Sequence, residues 1–238
     1  MILPPPSSRK SRRLAATRIA EAFHDGRWLQ GYIAGKLLHD PLFQTALAIL
    51  MEREGQIIDL GCGLGLLALW LREHGCKISY LGCDLDSWKV NAGRCAAARL
   101  TYEEIEFITG NMLELPLNGA TTICAFDVLH YLPPIGQEQM ILKLAEAART
   151  GALVLIRTGV RGCGWHSGLA ELQEWWIRAS GWIPSTNRTL PRLDEMVRKF
   201  ETLDCRVEVT PLHGIIPFSN YCLKISSTHG IQEQPSVW

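Results

Sequence analysis

The chain has 238 residues, 47% of them hydrophobic and 20% charged, enough for one domain with a full hydrophobic core. A formal net charge of zero and a pI of about 7.0 argue against a polyanion-binding surface spread over the whole protein. No apolar run reaches the ~18–20 residues of a transmembrane helix, and the opening MILPPPSSRK, with its charges after its apolar residues and three prolines between, is unlike a signal peptide.

Residues 1–13 read as a disordered basic tail. Pro4, Pro5 and Pro6 oppose helix, and Arg9, Lys10, Arg12 and Arg13 repel one another. Residues 14–51 read as a helical cap, broken at Asp40-Pro41 because the residue before proline disfavours the α region. Arg27, Tyr32 and Lys36 lie on this cap, either reaching a ligand or forming an exposed polar face.

Ile57 and Ile58 then start a short strand that stops at Asp59. Gly61, Gly63 and Gly65 follow at every second position, and the apolar run Leu66 to Leu71 opens a helix. Strand, glycine-rich turn and helix form a ligand-binding corner of an open α/β sheet, although such a turn can also be purely structural. The spacing is neither the GxGxxG of dinucleotide binding nor a P-loop. A second strand, Ile78 to Cys83, ends at Asp84, 25 positions after Asp59 and close to where a ribose-binding acid is expected. Asp86 competes for that role, but Asp86 or Ser87 also suits the N-cap of a helix from Ser87 to Leu100.

A third strand, Glu104 to Ile108, leads to Gly110, Asn111 and Met112, and a fourth, Ala120 to Phe126, leads to the run Asp127-Val128-Leu129-His130-Tyr131-Leu132-Pro133-Pro134. His130 is chemically suited to general-base work, with plain packing as its alternative, and Tyr131 to orienting a substrate. A helix from Gln137 to Ala148 and a strand from Gly151 to Ile156 bring Arg157 to a strand end, to clamp an acidic or phenolic substrate or to pair with a neighbouring acid. Trp165, Trp175, Trp176 and Trp182 suit either a flat apolar substrate or core packing. A helix from Pro191 to Leu203, strands Arg206 to Thr210 and Tyr221 to Ser226, and an irregular tail over 227–238 complete the chain. The eight cysteines form no CxxC pair and mostly sit in apolar runs such as LGCDL and TICAF, as reduced, buried thiols of a cytoplasmic protein do; no metal site is expected.

Asp59 with Gly61, Gly63 and Gly65, followed by Asp84 and Asn111 at successive strand ends, resembles the class I S-adenosylmethionine-dependent methyltransferases over about residues 14–226. The resemblance implies an α/β fold: a Rossmann-like, doubly wound, seven-stranded sheet with its last strand antiparallel, formed by residues 52–226 under the N-terminal cap. It implies S-adenosyl-L-methionine as cofactor. Gly61, Cys62, Gly63 and Gly65 would lie along its methionine part with Asp59 near the amino group. Asp84 and Leu85 would meet the ribose, and Asn111, where Asp is commoner, and Met112 the adenine; for Asn111 a plain turn role is the alternative. Asp127 would also bind the cofactor, at its reactive end, with His130, Tyr131 and Arg157 as the catalytic residues bordering the substrate. Amino-group methyltransferases carry an Asn/Asp-Pro-Pro-aromatic run at the fourth strand; here the two prolines come later, which argues against an exocyclic amine as acceptor. The stretches Tyr32 to Pro41, Asp127 to Leu132, Ile156-Arg157 and Pro217 to Tyr221 are similar to methyltransferases of aryl polyene and xanthomonadin-type pathways. That likeness implies a small aryl or polyketide-like acceptor, free or held on a carrier protein. Two other readings are a nucleic-acid methyltransferase using the basic tail and a non-catalytic cofactor-binding subunit.

Overall fold

A computed structural model describes residues 9–159, 192–212 and 220–228. Three helices come first: α1 (Arg9–Glu21), α2 (Arg27–His39) and α3 (Pro41–Leu50). Strands and helices then alternate as β1 (Gln56–Leu60), α4 (Leu66–Glu73), β2 (Ser79–Asp84), α5 (Ser87–Arg99), β3 (Ile105–Thr109), β4 (Thr122–Phe126), α6 (Pro134–Arg149) and β5 (Leu153–Gly159). The last elements are α7 (Leu193–Thr202), β6 (Cys205–Leu212) and β7 (Asn220–Ser227).

The seven strands form one sheet in the order β3-β2-β1-β4-β5-β7-β6. β1 to β5 pair in parallel, and β7 runs antiparallel between β5 and β6. The alternation of side chains along each strand builds two cores. Ile57, Tyr80, Phe107 and Leu155 face a core shared with α1 to α5. Ile58, Leu60, Ile123, Val154 and Leu223 face a second core with α6 and α7. Leu66 to Leu71 of α4 are all buried, which accounts for a helix apolar on every side. The strand order reverses between β2-β1 and β1-β4, and a doubly wound sheet opens its ligand crevice at the carboxyl ends of the strands there.

Several local expectations are corrected. Residues 9–13, expected in the disordered tail, are the first turns of α1. Arg and Lys are good helix formers, no proline follows Pro6 there, and Ala15, Ala16, Ile19 and Ala20 give the helix a buried face. α6 starts at Pro134 rather than Gln137, since proline is welcome in a first turn. β5 runs to Gly159 because antiparallel β7 pairs it that far, Gly159 facing Asn220. The tryptophan-rich stretch 165–182, residues 217–219 and the tail beyond 228 lie outside the described residues. Among the described residues seven cysteines are free thiols, five of them buried. Among the described residues no helix is long and apolar enough to cross a membrane.

Candidate functional site

The carboxyl ends of β1, β2 and β4 converge on the glycine turn. The N–H groups of Gly61 and Cys62 both donate to the Cys83 carbonyl, at 2.8 and 3.1 Å, which ties the turn to β2. All three glycines have positive φ, between 55° and 72°. Gly61 and Gly65 are also required by space: an added Cβ would lie 2.3 Å from Val128 Cγ2 and 2.2 Å from Phe107 Cζ respectively. Gly63 differs. A Cβ there would meet nothing within 4 Å, so its backbone borders open space. That opening, flanked by carboxylates, fits the extended, positively charged methionine end of S-adenosylmethionine.

Asp84 is built into the turn. Its Oδ2 accepts from the Gly63 N–H at 2.8 Å and its Oδ1 from the Asp86 N–H at 2.9 Å. Each oxygen keeps a further lone pair for a ligand hydroxyl. Asp86 caps α5 through Trp88 N–H and Lys89 N–H, and although burial alone would raise its pKa, its bonds to Lys89 and Trp88 hold it below the usual value. Leu85, between the two acids, is exposed.

Asp59 is buried, and the Tyr80 hydroxyl on β2 donates to its Oδ2. Burial pushes the Asp59 carboxyl up to about 7; the Tyr80 bond pulls against that rise and the Asp84 charge adds to it. Asn111, after β3, makes an Asx turn: Oδ1 accepts from Leu113 N–H at 3.1 Å and Nδ2 donates to Glu114 Oε1 at 2.8 Å. The plain turn role is thus present, and one lone pair of Oδ1 is left over for a donor. Met112 is buried in the second core.

At the tips of β4 and β5 a charge cluster joins sheet to cap. Arg157 Nη1 donates to Asp40 Oδ2 at 2.6 Å, and Arg157 Nε lies 3.2 Å from Asp127 Oδ1 without aligning its N–H on that oxygen. Asp127 is left-handed, φ 55°, and its N–H donates to the Arg157 carbonyl at 3.1 Å. Burial would lower the pKa of Arg157, but Asp127 and Asp40 outweigh it and raise it. The same holds for Lys36 on α2, where Tyr32, Asp127 and Asp40 overcome burial. Of the two roles open to Arg157, the pairing with acids is the one formed. His130 and Tyr131 occupy a 3-10 turn just after Asp127, with ring centroids 4.2 Å apart. His130 points inward at 8% exposure, and Tyr131 is exposed.

The structure therefore gathers Asp59, Gly61, Cys62, Gly63, Gly65 and Asp84 at one turn, and Asp127 and Arg157 at the next strand tips. Tyr80 and Asp40 escaped the sequence reading. Tyr80 reads as a core aromatic until β1 and β2 are in register, and Asp40 as a helix breaker until the cap is docked. A cavity of about 490 Å³ lined by Met51, Arg53, Lys77 and Glu104 lies at the opposite, N-terminal ends of β1 and β2, away from this cluster. Among the described residues no group of three or more His, Cys, Asp or Glu is arranged to hold a metal ion.

Residues 57–151 match a family model described as a methyltransferase domain. A carboxy-S-adenosyl-L-methionine synthase from Shewanella sp. (strain ANA-3) is 26% identical over 188 residues, covering 74% of this chain and 76% of that protein. Among solved structures, a magnesium protoporphyrin IX methyltransferase from Synechocystis PCC 6803 with bound SAH superposes with a TM-score of 0.60 at 20% identity, over 88% of this chain and 93% of that one. An S-adenosylmethionine-dependent methyltransferase from Aquifex aeolicus gives a TM-score of 0.57 at 17% identity, over 88% and 97%.

Proposed function

We propose that the chain works as a class I S-adenosylmethionine-dependent methyltransferase and that its acceptor is a small aromatic or acyl molecule, methylated on oxygen or carbon. One observation carries this reading. Trp28 and Tyr32 stack on α2 with centroids 6.0 Å apart and planes 10° from parallel, and Trp28 is exposed. Lys36 follows on the same helical stripe, close enough to feel the Asp127 charge at the tip of β4. A flat acceptor can lie along the two rings with an acidic group toward Lys36. An acyl chain tethered to a carrier protein suits the same stripe.

When bound, S-adenosylmethionine supplies an already activated methyl group. The protein's share is then mainly to align two reactants and exclude water. In this reading Asp59 and the turn from Gly61 to Gly65 hold the methionine end, Asp84 and Leu85 the ribose, and Asn111 and Met112 the adenine. The pairing of Arg157 with Asp40 keeps the cap over the strand tips. Tyr131 orients the acceptor, and His130 takes a proton from it. The free, mostly buried thiols suit a cytoplasmic setting.

The test incubates the protein with S-adenosylmethionine labelled in its methyl group and a set of hydroxylated aromatic acids and acyl thioesters. A product heavier by one labelled methyl is expected. His130→Ala should keep cofactor affinity and slow turnover roughly 10²–10⁴-fold; full turnover would leave His130 a packing role. Recovery of a cofactor heavier by a carboxyl group, the activity in the relatives' name, would replace acceptor methylation by modification of the cofactor itself.

A further inference from the structure

Asp59 sits at the switch point of the sheet, two residues before the glycine turn, with its carboxyl buried on the same face of the sheet as Tyr80. The groups that act on it are few. Tyr80 comes from β2, Asp84 from the end of β2, Cys62 from the turn and Cys124 from β4. None is a cation. Burial pushes the Tyr80 hydroxyl and the Cys62 and Cys124 thiols upward, so all three keep their protons across the neutral range. Asp84 holds Gly63, whose outer face is open. The neighbourhood of the turn is thus anionic, and Asp59 is the group in it poised to change charge near neutrality. S-adenosylmethionine carries a sulfonium, an ammonium and one carboxylate, a net positive charge. A cation seated on this turn favours the ionised carboxyl.

We propose that Tyr80 and Asp59 form a proton-linked anchor for the cofactor, in which Tyr80 positions Asp59 beneath the glycine turn and Asp59 releases its proton to solvent as S-adenosylmethionine binds. The anchor rests on the methyltransferase reading. No bond of the cofactor changes in this step; one proton leaves a carboxyl oxygen of Asp59 for the buffer. Tyr80 acts through Asp59 and is a positioning residue.

The experiment is calorimetric titration of the full chain with S-adenosylmethionine in buffers of different ionisation enthalpy, from about pH 5.5 to 8.5, which counts the protons released. Release should peak just below pH 7, midway between the values of the free and the bound carboxyl, at roughly 0.3–0.8 proton per site. Tyr80→Phe removes the donor that favours ionised Asp59, so the peak should move to higher pH. Asp59→Asn, which can still accept from Tyr80, should bind without the neutral-pH release. Binding with no release, release that survives in Asp59→Asn, or a peak that stays put in Tyr80→Phe would overturn the anchor while leaving the methyltransferase reading intact. Absence of binding by the folded wild-type chain would instead count against that reading.

Discussion

Asp84 shows how much one carboxylate at a strand tip has to do. Its oxygens already accept from the N–H groups of Gly63 and Asp86, so it shapes the turn before any ligand arrives. Asp84→Ala should therefore lower S-adenosylmethionine affinity by roughly 1–3 kcal/mol, about 5–150-fold, through a lost ribose contact and a loosened turn together. Titration of the variant checks this, and an unchanged affinity would move the ribose role elsewhere; Asp86, spent on capping α5, is poorly placed to take it. The position of Asp84 was legible in the sequence because strand ends and glycine spacing are local patterns. The partner of Asp59 was not. Tyr80 and Asp59 are 21 positions apart, and only the pairing of β1 with β2 brings them together. Asn111 was half legible: its Asx turn is local chemistry, whereas its spare lone pair matters only in the crevice.

Among the elements, one side chain of the cap has two tasks. Asp40 Oδ1 accepts from the Leu42 N–H at 3.0 Å and caps α3, with Pro41 in the first turn. Its Oδ2 accepts from Arg157 at the end of β5, 117 residues away. Arg157→Met should cost roughly 2–3 kcal/mol of stability, below the full value for breaking a buried pair because Asp127 is partly exposed. Arg157→Met combined with Asp40→Asn should cost less than the sum of the two. Denaturant midpoints at constant slope measure both, and a single variant within 0.5 kcal/mol of wild type would mean that the pair does not hold the cap. The Asp40-Pro41 break was readable from two adjacent residues. Its partner was not, because the contact depends on how α2 and α3 dock on the sheet. The same docking explains why the basic residues 9–13 read as tail yet fold as helix: the buried face of α1 becomes useful only against α2 and α4.

For the molecule as a whole, the alternation of short apolar strands with helices pointed to an open α/β sheet, and the resemblance to class I methyltransferases supplied its seven strands and the antiparallel β7 that the structure shows. Parallel pairing of β1 to β5 follows from that alternation, because parallel strands need crossover connections. The acceptor side follows from no such rule. The proposed acceptor side would depend on the stripe of α2, on the turn after β4 and on side-chain pairings across long stretches of sequence. The central claim concerns the better-defined half, the glycine turn between Asp59 and Asp84 as the seat of the cofactor. Calorimetric titration of the purified chain with S-adenosylmethionine and, separately, with S-adenosylhomocysteine tests it most directly. One molecule of either should bind per chain with an affinity on the order of micromolar. A folded protein that takes up neither would contradict the assignment and leave the turn a structural corner of the sheet.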